Sequence, residues 1–182
     1  VVKKTPLEDY TNIRKGGLIA INLREDDALI GVKLANGDQE LIMGTAQGMS
    51  IRFSENDVRS MGRSATGVRG IRLSDNDEVI GMDIIDKDLD ILIVTAKGYG
   101  KRTPASDYRS QSRGGKGIKT INVTEKNGAV IALKVVKNEE DLMIITTLGT
   151  LIRTSMEGIS TMGRYTQGVK LINIREDDAV AT

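Results

Sequence analysis

The chain contains no cysteine and no histidine, and those two absences remove most of the usual site chemistry at once. Without thiols there are no disulfides, no thiolate nucleophile and no sulfur ligand for zinc. Without imidazole there is no histidine general base and no histidine-bound metal. Aromatic residues make up 3% of the chain, so its core has to be Ile, Leu, Val and Met, and the stacking platforms of single-strand binders are missing. No apolar run approaches the roughly 18 residues of a membrane-spanning helix, and no membrane partner is expected. Lack of cysteine fits a reducing compartment, and we expect a cytoplasmic location.

What is present is a repeat. Gly17-Leu18-Ile19-Ala20-Ile21-Asn22-Leu23 is echoed by Gly67–Leu73, by Gly117–Val123 and by Gly168–Ile174, so the leading glycines lie 50, 50 and 51 residues apart. A second word keeps step: Gly48-Met49-Ser50-Ile51-Arg52, Gly98-Tyr99-Gly100-Lys101-Arg102 and Gly149-Thr150-Leu151-Ile152-Arg153, with Val1-Val2-Lys3-Lys4 as a truncated first copy. A period near 50 residues marks arrays in which one supersecondary unit stacks on the next. We therefore read residues 1–182 as a single array with units of about 1–48, 49–98, 99–149 and an incomplete 150–182, and expect it to be a piece of a larger domain.

Within the unit 49–98, Met49–Phe53, Val68–Leu73, Val79–Ile85 and Ile91–Thr95 have the short, β-branched character of strands. Asp75-Asn76-Asp77 and Asp86-Lys87-Asp88 have turn chemistry. The unbroken apolar runs Ile91–Val94 and Leu142–Ile145 suit strands covered on both faces. The fold class is all-β, a propeller-like array of four-stranded blades.

Net charge is only +1, but its distribution is uneven. Residues 97–119 hold seven Lys or Arg against the single acid Asp107, whereas residues 74–90 hold seven acids against the single base Lys87. In a stacked array such blocks segregate into a basic face and acidic loops, and the local field then matters more than the sum.

The connection before each repeat glycine is richest in the third unit, Gln111-Ser112-Arg113-Gly114-Gly115-Lys116-Gly117. Glycines remove side chains, so backbone amides can approach an anion while Arg113 and Lys116 add charge. The same glycines could equally be turn residues, and the spacing is not that of a P-loop. Gln111–Gly117 resembles the box motif Q-R-R-G-G-K-G of the DNA gyrase A C-terminal domain at six of seven positions, with Ser112 in place of the first Arg. Thr66–Leu73, Gly98–Thr103 and Gly163–Val169 are also similar to segments of that family, and the resemblance covers essentially the whole chain.

The resemblance implies a β-pinwheel whose neighbouring blades share strands and whose basic perimeter wraps duplex DNA in support of negative supercoiling. It implies the rest of gyrase A, together with gyrase B, as partners in an A2B2 holoenzyme, with ATP and Mg bound outside this chain, and a nucleoid-associated location. The chain by itself is expected to be no enzyme and to carry no cofactor. The family's box lies in the first of about six blades, so Gln111–Gly117 is expected to be a secondary copy.

The proposed DNA contacts are the aligned bases. Arg52, Arg102 and Arg153 occupy one repeat position, with Lys101 beside Arg102 and Lys4 in the truncated copy. Arg63, Arg113 and Arg164 form a second set, joined by Arg69, Lys116, Lys119 and Lys170. Bases at repeat positions can instead protect strand edges from aggregation. Tyr99, Tyr108 and Tyr165 are expected to pack at blade seams, and Asp26, Asp27, Asp75 and Asp77 to serve turns rather than a metal. Two other readings stay open: the C-terminal DNA-steering domain from the A subunit of topoisomerase IV, and a protein-interaction propeller without a nucleic-acid role.

Overall fold

A computed structural model describes residues 1–86 and 88–182. Its regular structure is almost entirely antiparallel strand: β1 (Glu40–Thr45), β2 (Met49–Ser54), β3 (Val79–Ile85), β4 (Asp90–Thr95), β5 (Tyr99–Pro104), β6 (Ile118–Lys119), β7 (Val130–Val136), β8 (Asp141–Ile145), β9 (Leu151–Ser155) and β10 (Val169–Lys170). The helical pieces are single 3-10 turns, Leu7–Tyr10, Glu55–Asp57, Ala105–Asp107 and Met156–Gly158. Ser54 and Ser155 cap two of them by accepting from the amides of Asn56 and Glu157.

The sheets do not coincide with the sequence units. One sheet runs β3–β1–β2–β6 and the next β7–β4–β5–β10, while β8 and β9 form a third hairpin. The outer strand of each four-stranded sheet therefore comes from the following unit: Ser50 pairs with Ile118, and Gly100 with Val169. The bridge between Val2 and Val68 repeats the arrangement at the start of the chain. Strand sharing of this kind ties each blade covalently to the next.

Alternation along the central strands explains why they are apolar throughout. Ile91 and Ile93 of β4 enter one core with Ile42, Tyr108, Ile121 and Leu133, while Leu92 and Val94 enter another with Ile144, Ile159, Ile172 and Val180. A third core gathers Leu41 and Met43 of β1 with Val2, Ile51, Phe53, Val58 and Ile71. The cores lie between sheets, so no blade has a core of its own. The run at 142–145 is covered less completely: Ile144 is buried, but Met143 is 54% exposed on the outer face of the last hairpin.

The expected strand Val68–Leu73 is shorter than its composition suggested. Only Val68 makes a bridge there, and its counterparts β6 and β10 have two residues each. The chain then turns inward to bury Ile71, Ile121 and Ile172, and the carbonyls of Gly48 and Gly98 accept the amides of Thr120 and Leu171 as it does so. Residues 29–34 align with β3 and β7 at the repeat period but form no strand, leaving Leu29, Ile30, Val32 and Leu34 exposed.

Candidate nucleic-acid interface

The bases divide into three groups according to what their cationic ends meet. The first group is at the seams. Arg52 is 6% exposed and donates from Nη1 to the carbonyls of Ala105 (3.0 Å) and Tyr108 (2.9 Å) in the following unit's 3-10 turn, while Nε holds Glu40 at 3.0 Å. Arg102 is 8% exposed; its Nε donates to Ile159 O at 3.0 Å, and Nη1 reaches Asn138 and Asp90. Lys4 does the same at the start of the chain, donating to Glu55 O at 2.9 Å. Lys101 is fully buried and donates to the carbonyls of Gly163 (2.6 Å) and Arg164 (2.9 Å). Burial, then the nearby Arg164 charge, lowers its ammonium pKa to about 8.

Arg52, Lys101 and Arg102 therefore do not stand on an exposed rim, and the expectation that they do is corrected. Each strand β2 and β5 ends where the next unit turns, and a turn buried against a sheet leaves carbonyls that need donors. A long cationic side chain from the preceding strand meets that need. Lys4 is half-buried in the same role. Arg153, at the repeat position of Arg52 and Arg102, is exposed and pairs with Asp141 across the β8–β9 hairpin.

The second group belongs to the glycine-containing loops. Arg63, Arg113 and Arg164 are half-buried, and each donates from Nη1 to a carbonyl two residues past a repeat glycine: Ile19 O (3.1 Å), Arg69 O (3.0 Å) and Lys119 O (2.9 Å). The loop 111–117 is latched further. Gln111 N donates to Arg52 O (2.8 Å), Gly114 N to Gly70 O (2.6 Å), Arg113 Nε to Asp57 O (2.8 Å), and Gly115 O accepts from Arg72 N (2.8 Å). The amide of Gly114 thus faces the neighbouring unit and not an open anion nest. Gly117 has φ +74°, and a Cβ there would lie 2.2 Å from Ser50 O, so both a left-handed backbone and close approach require glycine. Of the loop, Ser112 and Lys116 are the exposed side chains.

The third group is solvent-exposed, with Lys119 Nζ 3.4 Å from Asn122 Oδ1 and Lys170 over the Tyr99 ring. Arg69, Lys119 and Lys170 occupy one repeat position and are all exposed. Lys119 and Lys170 lie on β6 and β10, the sheet edges farthest from β3 and β7, which pack against each other. The edge strands are thus the perimeter of the array, and one base stands there in each of the second, third and fourth units, the first unit having Ile19. Arg59, Arg72 and Arg109 are exposed as well. They were not among the expected contacts, although the repeated Arg-Ser dipeptides at 59–60 and 109–110 were a usable signal.

The tyrosines separate similarly. Tyr108 is buried at a seam, its hydroxyl 2.6 Å from Thr120 Oγ1, and burial raises its pKa. Tyr99 is half-buried where β5 meets β10, under the ammoniums of Lys126 and Lys170. Tyr165 is 70% exposed beside Arg164, which corrects its expected place at a seam.

The acids sit at turns. Asp77 accepts from the amides of Gln47 and Glu78, and Asp27 from Ala28. Asp26 and Asn76 adopt positive φ. Asp178 repeats the Asp77 arrangement; burial would raise its pKa, but hydrogen bonds from Thr146, Thr147, Leu148 and Ala179 bring it down to about 2.

A family model described as the DNA gyrase C-terminal domain, beta-propeller, matches residues 1–36, 39–86, 89–137 and 140–182, nearly the entire chain. The chain belongs to the DNA gyrase C-terminal domain family. The DNA gyrase A protein of Halalkalibacterium halodurans is 68% identical over 182 residues, which cover 100% of this chain and 22% of that protein. The gyrase A protein of Streptococcus pneumoniae is 56% identical over 182 residues, and that of Klebsiella oxytoca 45% over 179. The chain thus spans about a fifth of the gyrase A proteins it matches. Among solved structures, the DNA gyrase A C-terminal domain superposes with a TM-score of 0.85 at 24% identity over 92% of this chain and 57% of that one. The C-terminal domain of DNA topoisomerase IV gives 0.93 at 26% over 99% and 57%. The fold is the all-β pinwheel of gyrase C-terminal domains.

Proposed function

We propose that this chain binds duplex DNA without reading base sequence, as part of the surface on which DNA gyrase wraps DNA. The perimeter series Arg69, Lys119 and Lys170 carries this reading, because it is periodic and exposed, with Lys119 and Lys170 on the edge strands and Arg69 next to the Val68 bridge. Bases spaced around a curved edge neutralise phosphates and release counterions. Bending 20–30 base pairs by 40–90° costs roughly 1–6 kcal/mol, so several units have to act together. Lys116, Arg59 and Arg109 extend the same surface, while Arg63, Arg113 and Arg164 position the loops beside it.

Strand passage, with its catalytic tyrosine, ATP and Mg, is assigned to the remainder of gyrase A and to gyrase B, which are the proposed protein partners in an A2B2 assembly. The proposed location is the nucleoid. A second reading, the DNA-steering domain of topoisomerase IV, draws on the TM-score of 0.93 to a topoisomerase IV C-terminal domain. The matched gyrase A proteins, at up to 68% identity, favour gyrase.

Titration of a plain duplex of about 40 base pairs across a salt series tests the reading. A steep linear fall of log K with log salt, equal for unrelated sequences, is expected. A flat response would leave the protein-interaction reading in its place.

A further inference from the structure

The repeat is broken in charge at one turn. The position occupied by Asp26, Asn76 and Asp177 in the other units holds Lys126 in the third, although its neighbours Glu25, Asp75, Glu125 and Glu176 stay acidic throughout. The reversal coincides with a second departure. The first residue of β5 is Tyr99 where the equivalent positions hold Met49 and Thr150, and Lys170 of β10 is its register partner. The ammoniums of Lys126 and Lys170 each lie 5.7 Å from the centroid of the Tyr99 ring. Both lysines are exposed, and among the described residues neither forms a salt bridge with a carboxylate.

Two like charges gathered on one ring repel each other, and the quadrupole of a single half-buried tyrosine offsets that only in part. An anion bound beside these ammoniums offsets that repulsion. Among the described residues no carboxylate pairs with either lysine, and at the turn position itself Lys126 stands where two sister units have an aspartate. The patch opens at the edge where β10 closes the sheet, on the same perimeter as Lys119. The ring then offers an apolar face to deoxyribose beside a bound phosphate, a geometry suited to a backbone and not to a base edge.

We propose that Tyr99, Lys126 and Lys170 form a phosphodiester-binding site that pins the duplex at one point of the perimeter. The site rests on the DNA-binding reading above and narrows it. At the Lys170 position the second and third units each have a single base, Arg69 and Lys119, and the first has Ile19, whereas the third and fourth units together bring two bases and a ring to this point, so the duplex is anchored here and merely follows the remaining edge.

The test compares Lys126→Asn, which installs the sister residue, with Lys134→Asn on the inner strand β7, each titrated with the same plain duplex of about 40 base pairs over a salt series. Lys126→Asn is expected to weaken binding about three- to tenfold and to lower the salt slope by about one, with Lys134→Asn unchanged. Tyr99→Thr should reduce the effect of Lys126→Asn when the two are combined, while its own melting temperature reports any loss of folding. Equal slopes for Lys126→Asn and the parent, or full additivity with Tyr99→Thr in folded proteins, would overturn the site while leaving wrapping intact. Failure of the parent chain to bind the duplex would instead remove the reading on which the site rests.

Discussion

Arg52 and Arg102 on one side, and Arg69, Lys119 and Lys170 on the other, are both basic series repeating at the same period, yet they sit in opposite environments. The first pair ends strands that abut the next unit, and its guanidiniums are buried among that unit's carbonyls. The second series is exposed, Lys119 and Lys170 on the edge strands and Arg69 beside the Val68 bridge. Periodicity of charge therefore identifies a repeated job and not its nature. The seam arginines hold blades together, and the perimeter bases are available to a ligand.

The largest expected effect lies at the seams. Arg102→Met strips the donor from Ile159 O and the partner from Asp90, and should destabilise the fold by about 3 kcal/mol in chemical denaturation. The same substitution at Arg69 should change stability by no more than about 0.5 kcal/mol. Equal effects would erase the distinction between the two series.

Gly117→Ala comes next. It places a Cβ against Ser50 O in a backbone of φ +74°, and should cost about 1–3 kcal/mol, whereas Gly62→Ala, with open space around it, should be close to neutral. The pair separates glycines that permit blade contact from glycines that merely turn the chain.

A smaller effect concerns pH. Lys101 has a folded pKa of about 8 against an ordinary value of 10.5, so between those values the unfolded chain binds a proton that the native state has released. Stability should therefore rise with pH across that window, and Lys101→Met should flatten the rise in melts taken from about pH 7.5 to 10. Asp178 acts at the other end: its folded pKa of about 2 lies below the ordinary 3.8, so its contribution is present above about pH 4 and is lost on acidification toward pH 2. Asp178→Asn should flatten that limb in a second set of melts taken from about pH 2 to 5.

Much of the architecture was legible in the chain itself. The β-branched runs marked β2, β3, β4 and β8, because strands packed between two cores favour such residues, and the 50-residue glycine period placed the shared edge strands. Their brevity was hidden, since Ile71, Ile121 and Ile172 look like strand continuations and differ only in being folded back under the sheet. The candidate site was legible in half. Arg69, Lys119 and Lys170, expected as DNA contacts, are exposed, but Arg52, Lys101 and Arg102 read the same way because a buried carbonyl leaves no trace in the residue that donates to it. Lys126 was legible only as a charge reversal at a turn, and it gained meaning from Tyr99 and Lys170 in space.

The most direct measurement is the salt slope of duplex binding for the triple variant Arg69→Glu, Lys119→Glu, Lys170→Glu beside the parent chain, with the melting temperature of each recorded. A slope smaller by about three, a loss of affinity of about a hundredfold or more and an unchanged melting temperature are predicted. An unchanged slope and affinity in a folded triple variant would contradict the assignment of the perimeter as the DNA surface.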